Sequence, residues 1–114
     1  DRIIFSFDKM INGYVIAMPD IVTLTVIADW IECFDDDIRS SGRESYSLLI
    51  DSNKHHFESI QCLKSLREYL TQIQGQVSRV AFVAPPNFRE SEIVSGREAY
   101  FDNLEQAYQW LKKR

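Results

Sequence analysis

Glycine and proline are scarce in this chain, four and three among 114 residues. That shortage excludes collagen-like and Pro/Gly-rich low-complexity chains. Cysteine is scarcer: Cys33 and Cys62 are far from a CxxC spacing, and His55 and His56 are the two histidines of the chain, so no zinc-ligand pattern forms. Both cysteines fall in helical patterns among apolar neighbours and are expected to be buried free thiols, with no structural metal and no disulfide. Lys and Arg number 13 against 17 Asp and Glu, a net charge of -4, which argues against general nucleic-acid binding. No apolar run approaches a membrane span, and no basic leader with an apolar core opens the chain. The expectation is a cytoplasmic protein without a cofactor. GxxxxGK, GxGxxG and GxSxG are all missing, which removes the common nucleotide loops and the hydrolase elbow. What is there is 45% apolar and 26% charged, enough for one compact domain, residues 1–114, around one core.

The stretch organising the rest is SYSLLID, Ser45 to Asp51, a short run of strand formers ending on a carboxylate. The polar cluster Ser52-Asn53-Lys54-His55-His56 follows at once. A buried strand feeding a polar loop is where open α/β sheets place ligands. Upstream, Ile3 to Phe7 and Tyr14 to Met18 read as strands joined at Asn12-Gly13, the dipeptide of type I′ hairpins, in which both residues take positive φ. A helix is predicted over 25–39 from the stripe Ile27, Trp30, Ile31, Phe34 and Ile38, with Thr23 or Thr25 at its start and Gly42 past its end. The run Asp35-Asp36-Asp37 is expected to be a solvated helix face. A second helix is predicted over 58–74, with the buried stripe Ile60, Leu63, Leu66, Leu70 and Ile73 and with Gly75 closing it. Val77 to Ala84 suits a strand covered on both faces, stopped by Pro85-Pro86. Residues 87–96 are expected to hold at most a turn or two of helix. Glu98 to Phe101 is a brief strand, and a last helix begins at Asp102, with Asp102 and Glu105 as a capping box.

This order predicts an α/β fold: a single layer of mostly parallel sheet, about five strands with an N-terminal antiparallel hairpin, and helices packed on it. The stretches INGYVIAMPD, SLLID and YFDNLEQAYQWL together resemble the STAS domains, the SpoIIAA-like or anti-sigma-factor-antagonist fold, in particular their bacterial STAS-like relatives. The resemblance implies sequential strand order and a non-enzymatic regulatory or protein-interaction role. It also implies a phosphorylated serine at the start of the second helix, where Ser59 stands; Glu58 replaces the family's Asp, and the following Ser/Thr and Gly are absent.

Two further readings stand beside that one. A distant relation to CRAL-TRIO lipid-transfer domains implies a small apolar ligand, supported by Ile21, Val22 and Phe88 near the strand ends. In a chain this size most apolar side chains are needed for the core, so a large cavity is not expected. The third reading is an enzyme using Asp51, His55 and His56, since a carboxylate beside an imidazole orients it and raises its pKa. No nucleophile accompanies them, and no catalytic residue is assigned. The expected partner is another protein, with a second copy of the chain and a small apolar ligand as alternatives. The expected recognition surface is the rim where the parallel strands end, holding Asp20, Asp51, Asn53, His55, His56, Ser59 and Arg89.

Overall fold

The computed structural model describes residues 2–52, 56–84 and 97–113, with the backbone alone at position 56. Its elements are β1 (Ile4–Asp8), β2 (Gly13–Ala17), β3 (Ile21–Val22), α1 (Leu24–Ser41), β4 (Tyr46–Asp51), β5 (His56–Phe57), α2 (Ile60–Gln72), β6 (Val77–Val83), β7 (Glu98–Phe101) and α3 (Leu104–Lys112). The main sheet runs β1-β2-β4-β6-β7. β1 is antiparallel to β2, and every other pair in that sheet is parallel. The fold is therefore α/β with five strands, as the pattern predicts, in the sequential order that the family resemblance implies. The short pair β3-β5 forms a second, parallel ladder that sequence reading missed, since two-residue strands carry no periodicity.

The order advances across the sheet in one direction, and right-handed crossovers then put successive helices on one face. α1 and α2 share the face of Tyr14, Ile16, Leu48, Ile50, Val80 and Phe82. α3 covers the other face, with Ala107 and Leu111 against Leu49, Ala81 and Val83. Alternation along β4 assigns Leu48 and Ile50 to the first core and Leu49 to the second, so this strand is buried on both sides.

The hairpin departs from a two-residue Asn-Gly turn. Residues 9–12 make the turn, with Asn12 N–H donating to the Lys9 carbonyl at 3.2 Å and Met10 N–H to the Asp8 carboxylate at 2.8 Å. Asn12 alone takes the left-handed conformation, at φ 47°. Gly13 opens β2 and is required for a different reason. A Cβ there would lie 2.1 Å from Ser47 Oγ and 2.3 Å from the Ser47 carbonyl oxygen, so β2 and β4 could not approach.

Helix ends are set by specific groups. Thr23 Oγ1 accepts from Val26 N–H at 3.1 Å to start α1, and Gly42, at φ 71°, ends it. α2 finishes at Gln72, short of Gly75, which takes no left-handed conformation. α3 is capped by Asn103, whose side chain accepts from Gln106 N–H at 2.9 Å, one residue later than the Asp102–Glu105 box predicts. Cys62 is buried but Cys33 is exposed, contrary to the buried-thiol expectation, because Cys33 flanks the inward stripe Ile27-Trp30-Phe34. Both thiols are free.

The acidic run is more than a solvated face. Asp37 accepts from Tyr14 OH at 2.6 Å, Asp35 accepts from Tyr69 OH, and Asp36 pairs with Arg39. Arg43 joins the first contact, donating to Tyr14 OH at 2.8 Å while its guanidinium lies 3.5 Å over the Phe7 ring. On the other face Tyr108 OH donates to Asp8 at 2.8 Å.

Burial raises the phenol pKa in each of Tyr14, Tyr46, Tyr69 and Tyr108. Nearby carboxylates add to it: Asp37 for Tyr14, Asp35 for Tyr69 and Asp8 for Tyr108. Tyr46 and Tyr108 are each pushed up to about 12. Folded values above the ordinary 10.0 mean that this stabilisation is complete below pH 10 and is lost as pH climbs through about 12. In an alkaline titration, tyrosinate absorbance should rise largely with loss of tertiary structure near pH 12. The urea-unfolded chain should titrate near the ordinary phenol value. Separately, Gly13→Ala should cost about 3 kcal/mol in a denaturant melt, because the Ser47 backbone, unlike its hydroxyl, cannot swing clear of the new methyl. Gly75→Ala, which meets nothing within 4 Å, should stay within about 0.5 kcal/mol.

Candidate functional site

Parallel pairing of β2, β4 and β6 brings their C-terminal ends to one rim. Backbone bonds continue past the strands there: Met18 N–H to Asp51 at 3.1 Å, Ser52 N–H to Val83 at 2.9 Å and Ala84 N–H to Phe101 at 3.2 Å. The β3-β5 ladder ties the connection before α1 to the connection before α2, and Glu58 N–H donates to the Val22 carbonyl at 2.9 Å. Both helices thus start from this rim.

Of the expected rim residues that the structure describes, Asp20, Asp51 and Ser59 do not converge. Asp51 is the register partner of Val83 and follows Ile50 in the alternation, so it stands on the α3 face. Ser59 stands at the start of α2 and belongs to the opposite face. Asp20 is exposed at the bend after β2, beside Arg2, Ile4 and Pro19. Asn53, His55 and Arg89 lie outside the described residues, as do Pro85, Pro86 and Phe88, and so does the side chain of His56. Ser59 is in the N-cap position with extended backbone, φ -152° and ψ 165°, yet its hydroxyl makes no capping bond. That oxygen lies 3.4 Å from Cys62 Sγ, and the residue is exposed.

The rim opens into a groove of about 410 Å³ between α2 and the sheet. It is a half-open groove, and most of its apolar lining also serves the core, among them Ile50, Leu66 and Phe82. Ile50, Phe82 and Tyr100 form the sheet side, with the Phe82 and Tyr100 rings stacked at 5.1 Å. Ile60, Leu63, Leu66, Arg67 and Leu70 form the helix side, and Met18, Ser52, Phe57, Ser59 and Ala84 surround the rim end. The predicted stripe of α2 is wider than its buried face. Cys62, Leu66 and Tyr69 are buried, Leu63 and Leu70 are half-buried, and Ile60 is 72% exposed.

Arg67 is the charged group in this lining. Its guanidinium donates to Tyr100 OH at 3.1 Å and lies 5.4 Å from the Phe82 ring centroid. Eight residues separate Ser59 from Arg67, a rise of about 12 Å along the helix. Hydroxyls at the rim and a cation two turns deeper thus bracket an apolar floor. The described lining carries no carboxylate and no imidazole. Among the described residues, no three His, Cys, Asp or Glu side chains converge as a metal site would require. Sequence reasoning passed over Arg67, although its position between Leu63 and Leu70 at helical spacing was a signal: an arginine in an apolar stripe.

Removing the Tyr100 hydroxyl should loosen Arg67 without collapsing the groove. Tyr100→Phe is expected to cost about 1 kcal/mol in a denaturant melt, the scale of one partly exposed hydrogen bond. A cost above about 3 kcal/mol would show that the pair holds the β7 edge itself.

No family model and no curated protein matches the chain's sequence. Among solved structures, an uncharacterised protein from the DUF3478 family of Shewanella loihica PV-4, described as having a SpoIIAA-like fold, superposes with a TM-score of 0.72 at 13% identity. The match covers 96% of this chain and 91% of that one. The chain therefore has the STAS-like, SpoIIAA-like fold. Among the described residues no helix is long and apolar enough to cross a membrane.

Proposed function

We propose that this chain is a non-enzymatic binding module and that the groove beneath α2 is its ligand site, taking a small molecule with an apolar chain and an anionic head. The observation that carries this reading is the groove: about 410 Å³, walled by apolar and aromatic side chains, with Arg67 as its cation. That size is within the usual range of ligand pockets, about 300–1,000 Å³. Burial of the chain supplies most of the binding energy, and Arg67 fixes which way round the ligand lies. The absence of acid–base groups from the described lining supports binding over turnover. The ligand-binding alternative of the sequence thus gains more support from the geometry than the enzyme built on Asp51 does.

Titrating the chain with laurate should shift the amide resonances of Ile50, Leu63, Phe82 and Tyr100. Arg67→Gln should weaken laurate by about tenfold or more and leave dodecanol little changed, a loss of about 1.4 kcal/mol. Leu63→Trp, which fills the groove, should abolish both while the thermal midpoint holds. An amphiphile series in which no member moves those resonances rejects the reading.

The regulatory reading keeps one specific support. Ser59 presents an uncapped hydroxyl at the start of α2, where a phosphate meets the positive end of the helix dipole. Exposed Ile60 is next to it, and Ile21 and Leu24 are exposed on the elements that start at the same rim. Recovery of identical partners from extract by wild type, Ser59→Glu and Ile60→Lys would reject this second reading.

A further inference from the structure

Among the described residues, one long side of the sheet is an unpaired edge. β1 is its outermost strand, and among the described residues no strand pairs with the outer edge of β1. An edge strand presents a row of backbone donors and acceptors, and proteins usually blunt it with proline, a bulge or inward-pointing charge. The stretch Arg2-Ile3-Ile4-Phe5-Ser6-Phe7-Asp8 has no proline, and the register of β1 on β2 runs unbroken from Ile4 to Asp8. Ile4 is 63% exposed. Open grooves flank the strand on both faces. One of about 580 Å³ is lined by Ile3 and Phe5 with Trp30 and Cys33 of α1, and one of about 400 Å³ by Arg2, Ile4, Met18 and Pro19.

We propose that two copies of this chain associate through β1, pairing antiparallel about Phe5 so that one sheet runs across the dimer. The charges of the strand select this occupant and this direction. Arg2 stands at one end and Asp8 at the other. Antiparallel pairing about Phe5 sets Arg2 opposite Asp8 of the second copy at both ends of the contact, whereas parallel pairing would bring like charges together. Ile3 then meets Phe7 and Ile4 meets Ser6. Every pair has both members on the same face, since the strand alternates with period two. Ile3, Phe5 and Phe7 all pack on the α1-side core, so that face of the joint is apolar and continuous with an existing core. Asp8 is already held at its end of the strand by Met10 N–H and Tyr108 OH, both at 2.8 Å, and a carboxylate has lone pairs left for an arginine. The contact is isologous, so it closes at two copies and does not propagate.

Sedimentation equilibrium of the 114-residue chain across the micromolar range tests this. A dimer is expected. Ile4→Lys, at a solvent-facing position, should keep the thermal midpoint and raise the dissociation constant by about tenfold or more. Arg2→Asp should act in the same direction. Register is read by mixing Ile4→Cys chains with Ser6→Cys chains, both carrying Cys33→Ser to remove the exposed native thiol. Under mild oxidation the mixed disulfide should exceed either like-with-like product. A wild type that sediments as a monomer throughout overturns the proposal. So does a dimer that Ile4→Lys leaves intact, or cross-linking without preference for the mixed product.

Discussion

The helical face of the sheet rests on one ring. Tyr14 is fully buried, and Phe5, Phe7, Phe34 and Tyr46 meet it edge-on at 4.8–6.1 Å. Edge-on contacts between bulky rings fix the height at which α1 passes over the sheet. The phenol oxygen then pins α1 from below through Asp37 and Arg43. α2 inherits that height by leaning on α1, with Tyr69 against Trp30 at 5.3 Å and its hydroxyl on Asp35. α3, which packs small Ala107 against Ala81, lies closer to the strands than either of them. The groove is the consequence of this difference. Aromatic spacers raise α2, and its far side, Leu63 and Leu70, reaches Phe82 and Tyr100 only across open space.

The framework was legible because strong periodicities are local. The stripes of α1 and α2, the doubly covered run of β6 and the order of units all follow from apolar spacing, and a threonine before α1 and Gly42 after it follow from capping chemistry. The turn at Asn12-Gly13 was legible in place but not in kind. Two residues that could both serve a tight turn divide the work, and what Gly13 avoids is a strand far away in sequence. The site was less legible for the same reason. Spacing on α2 shows which residues are apolar, but not how much of the stripe α1 and the sheet cover. That depends on the thickness of rings contributed by other elements. The roles of Asp35 and Asp37 were hidden likewise, since their tyrosine partners are 34 and 23 residues distant.

Sheet topology explains why Asp51 and Ser59 do not face a common crevice. In doubly wound sheets the ligand crevice opens where strand order reverses and neighbouring helices leave for opposite faces. Here the order β1-β2-β4-β6-β7 never reverses, and α1 and α2 stay together. The strand ends still share a rim, and among the described residues no crevice splits it. Asp51 and Ser59 stand on opposite sides of the sheet, and the concavity forms within the helical layer.

The same unreversed order bears on how the chain is assembled. Each later strand of the main sheet joins an edge that the preceding strands already present, so none has to be inserted between two partners that have paired. A chain emerging from its N-terminus can therefore grow the sheet outward, one strand at a time, with each register templated by a finished neighbour. The hairpin of β1 and β2 is the seed, and its loop is short, so it closes at small entropic cost. α3 is the exception to this local scheme. Arg79 on β6 donates to the Trp110 and Lys113 carbonyls at 2.8 Å, so α3 is fastened to a strand laid down two described elements before it. Growth by addition thus closes on a latch: α3, which covers the second face, gains its Arg79 bonds only once Trp110 and Lys113 have been added.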